Sequence, residues 1–393
     1  MQTSSAVPEL LAVPDRAPDD VLQDLRRRLL AHRPVPLPAL PAGASWDRGT
    51  DAAFLAELVH HWAGAYDWRA HEQRIRSWPW HLAHVDVVDG TGTSSGARAT
   101  RRTPVRAVHQ RAASPGATAV LLLHGWPDSV LRFERVLPLL ARHHVVVPAL
   151  PGFPFAAPVA GAGMSARQIA VAVAGLMADL GYARYVVSAG DVGCDVAEHL
   201  ADLHPDRVGA LHLTDVSQYH FLVHPPSDPS PAERDYLAHG HDWQAREGGY
   251  MHEQRTKPHT LAVGLGDSPA GLLAWLLEKL HGWTDCGGDV ETVFSRDELL
   301  TWVASYWVSG CIGTSFTPYA TGGDLPRRVT PPAVFTVFPH DLVNAPEEFA
   351  RRIFDVRSWR RERSGGHFAA WEQPQAYAAG VHEAVELAAT SSR

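Results

Sequence analysis

Seven runs of six to eight residues, mostly apolar, recur between residues 84 and 339: HVDVVD, PVRAVHQ, AVLLLH, HVVVPAL, YVVSAG, GALHLTDV and AVFTVFP. They constrain the fold more than any other feature of the chain. Runs such as AVLLL and YVV do not alternate, so as strands they need cover on both faces, and a helical pattern at 166–180 falls between two of them. Strands alternating with helices in this way predict an α/β fold with a mostly parallel central sheet.

Other patterns flank this series. Residues 18–33, PDDVLQDLRRRLLAHR, begin with helix-start residues and place Val21, Leu22, Leu25, Leu29 and Leu30 at helical spacing. A Pro-rich connection follows, then helical periodicity through 52–78, with no strand pattern before about residue 83. The strand pattern stops again between 217 and 325, where Trp243, Trp275, Trp283, Trp302 and Trp307 fall among helical stretches. The expected organisation is a helical and extended appendage at 1–82, core at 83–216, a helical lid at 217–325, and core again at 326–393. A Gly-rich stretch near 90–97 lacks the strand-then-helix setting of a nucleotide loop.

Composition removes several function classes. With 45% hydrophobic residues, 20% charged residues and 13 Trp, the chain can bury enough apolar surface to fold. A net charge of -8, with no basic run longer than Arg26-Arg27-Arg28, argues against nucleic-acid binding. No signal-like N-terminus and no run of 18 uncharged apolar residues appears, so the expectation is a cytoplasmic protein without a membrane span. Cys194, Cys286 and Cys311 are odd in number and outside any CxxC pattern, and HExxH is absent, so neither a metal nor an organic cofactor is expected. A homodimer is allowed for as the assembly.

Three segments carry chemistry. In RYVVSAGDVGCDVAEHL, Asp191 lies between an apolar strand and a helix, with the small residues Ala189 and Gly193 on either side, as a nucleophile elbow requires. The plain alternative is an Asp N-cap. LLLHGWPDS runs a buried strand into a loop that can aim backbone N–H groups at an anion, which makes the amides of Trp126 and Val192 an expected oxyanion hole. Downstream, Asp341 follows a late strand and His367 sits in a Gly-flanked loop. The order nucleophile, acid, histidine is that of the α/β-hydrolase fold, with His340 and Glu372 as competitors for the acid.

Together HGWP, the GDxG elbow, FPHD and GGHFAAWEQP resemble the microsomal-type epoxide hydrolases, bacterial members included, over nearly the whole chain. LQDLRRRL and YDWRAHE are similar to that family's N-terminal meander, and the segments around GGYM and SFTPYA are similar to its lid. The resemblance implies Asp191 as nucleophile, His367 as base, Asp341 as its charge partner, and Tyr250 and Tyr319 as donors to the epoxide oxygen. An epoxide and water would be the partners in forming a vicinal diol. Two departures stand out: AGDVG where the family commonly has GGDWG, and HGWPDS where it has HGWPGS. Val192 in place of an indole, with five lid tryptophans, leads to the expectation of a roomy apolar pocket for a bulky or aryl epoxide, with a natural-product pathway as one setting; the equal alternative is that these tryptophans only fasten the lid to the core. Asp128 is expected at a helix N-terminus, where the dipole favours it. A dehalogenase uses the same triad and stands as the alternative, as does a non-catalytic ligand-binding hydrolase fold.

Overall fold

A computed structural model describes residues 11–41, 43–88, 100–158 and 163–390. The Gly-rich stretch near 90–97 and the first ten residues lie outside the described residues. Eight strands form one sheet: β1 (Trp80–Val88), β2 (Thr100–Gln110), β3 (Ala119–Leu123), β4 (His144–Pro148), β5 (Tyr185–Ala189), β6 (Val208–Leu213), β7 (Val329–Val337) and β8 (Phe354–Arg361). Their order is β1-β2-β4-β3-β5-β6-β7-β8. β2 is antiparallel to both its neighbours, and all the other pairs are parallel. This is the mostly parallel α/β-hydrolase sheet that the sequence predicts.

The four strands β3 to β6 are buried at every residue, which is why their sequences are apolar without alternation. Helix Pro374–Thr390 packs on β6 and β7 at a point where Gly380 is needed. A Cβ there would stand 2.3 Å from His212 Nε2 and 2.4 Å from Thr336 Oγ1. Those two groups belong to a buried polar chain, Tyr377–Ser188–His212–Thr336, that joins β5, β6, β7 and this helix through contacts of 2.6, 2.8 and 3.0 Å. Because each member has a partner, the chain fixes the relative positions of three central strands without leaving an unsatisfied buried group.

β8 has no counterpart among the expected strands. Its sequence, FDVRSWRR, carries Asp355 and three arginines, and as the outermost strand it buries few of its side chains. An edge strand can be this polar because one side faces no neighbour.

Between β6 and β7 the described residues form helices and no strand. The longer ones start on good caps: Ser230 with Glu233 and Ser295 with Glu298 form capping boxes at Pro231–Glu247 and Arg296–Ser309. The N-terminal helix Asp19–Leu30 carries acids in its first turn and arginines in its last, matching the macrodipole, and buries Leu25 and Leu29. From this region Arg28 Nη1 donates to the carbonyl and carboxylate of Asp267 at 2.6 and 2.8 Å. Thr50 Oγ1 donates to the Ala274 carbonyl at 2.6 Å, and His61 Nε2 lies 2.7 Å from Asp297 Oδ1. The N-terminal segment is therefore a strap across the helical insertion.

Candidate active site

β5 ends in the turn that decides the chemistry. Asp191 has φ 56° and ψ -136°, a conformation costing a non-glycine residue roughly 1–3 kcal/mol, and helix Val192–Leu203 begins immediately after it. Its side chain makes no capping hydrogen bond, which removes the N-cap alternative. The turn holds because its neighbours are small: a Cβ on Gly193 would stand 2.5 Å from the Leu123 carbonyl oxygen, and one on Gly190 2.6 Å from Thr214 Oγ1. The Asp191 N–H donates to Asp215 Oδ1 at 3.2 Å.

The loop after β3 faces that carboxylate. Trp126 N–H donates to Asp191 Oδ1 at 2.7 Å, and a Cβ on Gly125 would lie 2.2 Å from the same oxygen, so only glycine lets the loop come this close. Val192 heads its helix, where an N–H has no intrahelical acceptor. The setting of Asp128 differs from the dipole position expected of it. Only a single 3-10 turn, Val130–Phe133, follows, and Ser129 caps it. Asp128 is instead buried, 2.5 Å from Arg132 Nη1, and accepts from the Gly125 N–H at 2.9 Å. Burial would raise its carboxyl, but the Arg132 and His124 charges outweigh that and hold it down at about 2.

His367 reaches the same point from the other side. Its Nδ1 lies 2.7 Å from Asp341 Oδ1 and its Nε2 3.3 Å from Asp191 Oδ2, with all three side chains nearly enclosed. Its main chain is pinned at both ends: the N–H donates to the Trp283 carbonyl at 2.8 Å, and the carbonyl accepts from Arg132 Nη2 at 2.7 Å. Glu372 accepts from the N–H groups of Asp285, Gly366 and Phe368, so it shapes the histidine loop and is not free to serve the ring. His340 is largely exposed and 3.4 Å from Asp285. Burial pulls the imidazole pKa down, but the Asp341 and Asp191 carboxylates win and push it up to about 10. At neutral pH the ring is therefore an imidazolium between two acids.

Tyr250 and Tyr319 roof the site from the helical insertion. Tyr250 stacks on the Trp126 indole at 5.4 Å, Tyr319 meets that indole edge-on at 6.0 Å, and the two phenol rings are themselves 6.0 Å apart. Burial first, and the Asp191 charge second, push both phenols well above the usual tyrosine range, so both keep their protons. Asp191, Val192, Tyr250, Tyr319 and Asp341 all line one pocket. The roomy apolar pocket expected from Val192 and the lid tryptophans does not form: the cavity is small, about 60 Å³, four aspartates line it, and none of the described tryptophans does. Trp283 packs edge-on against His367 and Tyr250, and Trp302 joins Phe294, Phe368 and Trp371 in a separate aromatic cluster. Their role is to hold the insertion on the core.

Sequence reasoning missed Asp215 and Arg132. Asp215 is the second-last residue of GALHLTDV and reads there as part of a strand end; Arg132 reads as one more surface arginine, yet it is almost wholly buried between the histidine loop and Asp128. A buried charge four residues after another of opposite sign was the available signal.

Known proteins resemble the chain over nearly its whole length. Residues 13–133 match the model for the epoxide hydrolase N terminus, and residues 118–255 match the α/β-hydrolase fold. The chain is 34% identical to a Stigmatella aurantiaca protein assigned to the epoxide hydrolases, over 93% of this chain and 82% of that one. It is 30% identical to the juvenile hormone epoxide hydrolase of Manduca sexta, over 92% and 82%. Among solved structures, Aspergillus niger epoxide hydrolase superposes with a TM-score of 0.78 at 26% identity, covering 95% of each chain. The Bombyx mori juvenile hormone epoxide hydrolase gives 0.80 at 25% identity, covering 97% of this chain and 95% of that one. The chain belongs to the microsomal-type epoxide hydrolase family and is an epoxide hydrolase of the α/β-hydrolase fold.

Proposed function

We propose that the enzyme opens an epoxide to a vicinal diol through a covalent ester on Asp191. The observation that carries this reading is the meeting of three groups at one carboxylate: the Trp126 amide on one oxygen, His367 on the other, and two protonated phenols in the same pocket. Asp191 attacks a ring carbon while Tyr250 or Tyr319 gives a proton to the departing oxygen. Ester formation removes the Asp191 charge, one of the two that keep His367 protonated. The imidazolium then loses its proton, which makes good the one given up by the phenol, and His367 becomes the neutral base.

In the second step His367 takes a proton from water, and the hydroxide adds to the ester carbonyl. The amides of Trp126 and Val192 hold the oxyanion. Collapse breaks the ester bond. The leaving diol oxygen takes the proton of the hydroxyl that water supplied, and the site returns to a carboxylate facing an imidazolium. Asp341 orients the ring and balances its charge throughout.

The hydrocarbon part of the substrate fits the side of the pocket formed by Val192, Val216, Met251, Leu342 and Val343. Preference for a bulky or aryl epoxide rests on Val192 leaving space, since the lid tryptophans are elsewhere. Val192→Trp should then lower kcat/KM for a styrene-oxide-sized substrate about 10-fold more than for a short-chain epoxide, and equal losses would refute the preference.

The covalent step has a direct readout. His367→Gln should cut turnover by at least about 100-fold and accumulate protein heavier by the mass of one substrate. In Tyr250→Phe and Tyr319→Phe the ester should form roughly 10-fold more slowly, while its hydrolysis changes little, and the double variant should lose far more than either. Fast turnover by His367→Gln without an adduct would reject the base, and a double tyrosine variant as fast as wild type would remove the phenols from the mechanism.

A further inference from the structure

We propose that Asp215 is a second acid of this site, a positioning residue that anchors the Asp191 elbow and forms with Asp341 one coupled acid serving His367. The inference rests on the assignment of His367 as base. Asp191, Asp215 and Asp341 follow β5, β6 and β7, which are successive neighbours in the sheet, so three carboxylates converge beyond the ends of these strands and, with Asp195, line one pocket, while His367 reaches Asp191 and Asp341 from the loop after β8. Asp215 Oδ1 accepts from the Asp191 N–H at 3.2 Å and from the Cys194 thiol at 2.9 Å.

The groups facing Asp215 come from every neighbouring element. They are Asp191, Cys194 and Asp195 from the elbow and its helix, Asp341 and His367 from the loops after β7 and β8, and Tyr236 from the helical insertion. Two ionised acids this close to each other repel, so their protons are shared out unequally. Burial, followed by the Asp341 charge, raises Asp215 to about 7, whereas Asp341, which holds His367 Nδ1, is held low by the imidazolium despite its burial. Below about pH 7 Asp341 carries the charge and Asp215 keeps its proton. Removing the Asp341 charge takes away the second-largest cause holding Asp215 protonated, so Asp215 then ionises and supplies a carboxylate to the same imidazolium.

The test compares wild type, Asp215→Asn, Asp341→Asn and the double variant, each loaded once with styrene oxide, and follows ester decay by mass between pH 5 and 9. Asn at 215 keeps the oxygen that the elbow N–H uses, so a role confined to that hydrogen bond leaves the pH profile unmoved. Asp341→Asn should slow ester hydrolysis by about 10- to 100-fold, well short of the usual cost of a lost triad acid, and its rate should rise with pH as Asp215 ionises. The double variant should be slower by a further 10-fold or so, and its rise with pH, left to the deprotonation of His367 alone, should lie at lower pH than in Asp341→Asn, a non-additive result for coupled groups. Identical rates and profiles in Asp341→Asn and the double variant would overturn the proposal. Should Asp215→Asn fail to fold, the NMR titration of His367 in the Asp191→Asn/Asp341→Asn variant decides alone: with both carboxylates that contact the ring removed, a midpoint above the ordinary 6.5 supports a carboxylate at 215, and one at or below 6.5 rejects it. Absence of any ester in all four proteins would sink the nucleophile assignment, and this proposal with it.

Discussion

One imidazolium held between the carboxylates of Asp341 and Asp191 is the interaction on which the rest of the structure depends. At 2.7 and 3.3 Å, in an enclosed site, these charges outweigh the burial that would otherwise neutralise the ring. A buried charge triad is stable only where each member has further partners. Asp341 takes the Leu342 N–H, Asp191 takes the Trp126 N–H, and the backbone of His367 is tied to Trp283 and Arg132. In the proposed mechanism the same balance sets the order of steps, because alkylating Asp191 would remove one of the two charges and turn the imidazolium into a base only when a base is needed.

Geometry of this precision needs a rigid floor and a fixed roof. The floor is the set of fully buried parallel strands, cross-linked by the Tyr377–Ser188–His212–Thr336 chain directly beneath the elbow strand. The roof is the helical insertion that carries both tyrosines, and the N-terminal strap holds it from outside through Arg28, Thr50 and His61. Between them the Asp128–Arg132 pair spans the oxyanion loop and the histidine loop, and Tyr306 of the insertion donates to the Asp128 carbonyl at 3.0 Å.

The sheet core was legible because strands buried on both faces must be apolar throughout, and Asp191, Asp341 and His367 were legible as a set, by their chain order and surrounding motifs, although Asp191 and Asp341 each had a plainer reading alone. β8 escaped because an edge strand tolerates FDVRSWRR. Asp128, Arg132 and Asp215 were misread or missed for a different reason: charged residues near strand ends look solvated in a sequence, and only the fold reveals that a partner 3 Å away has replaced the water. The lid tryptophans were placed in the right segment, but their duty was left open between lining the pocket and fastening the lid to the core, and the fastening is what Trp283 and Trp302 do. Periodicity locates a Trp on a helix, while the side of the helix that meets the pocket depends on how the insertion folds back.

The central claim is that the new oxygen of the diol comes from Asp191 and not directly from solvent. A single turnover with enzyme in excess, run in oxygen-18 water, tests it most directly. The account predicts a diol almost free of label, with one oxygen-18 left in the peptide containing Asp191. Label in the first-turnover diol together with an unlabelled Asp191 would mean that water attacks the epoxide itself, and would contradict the covalent mechanism.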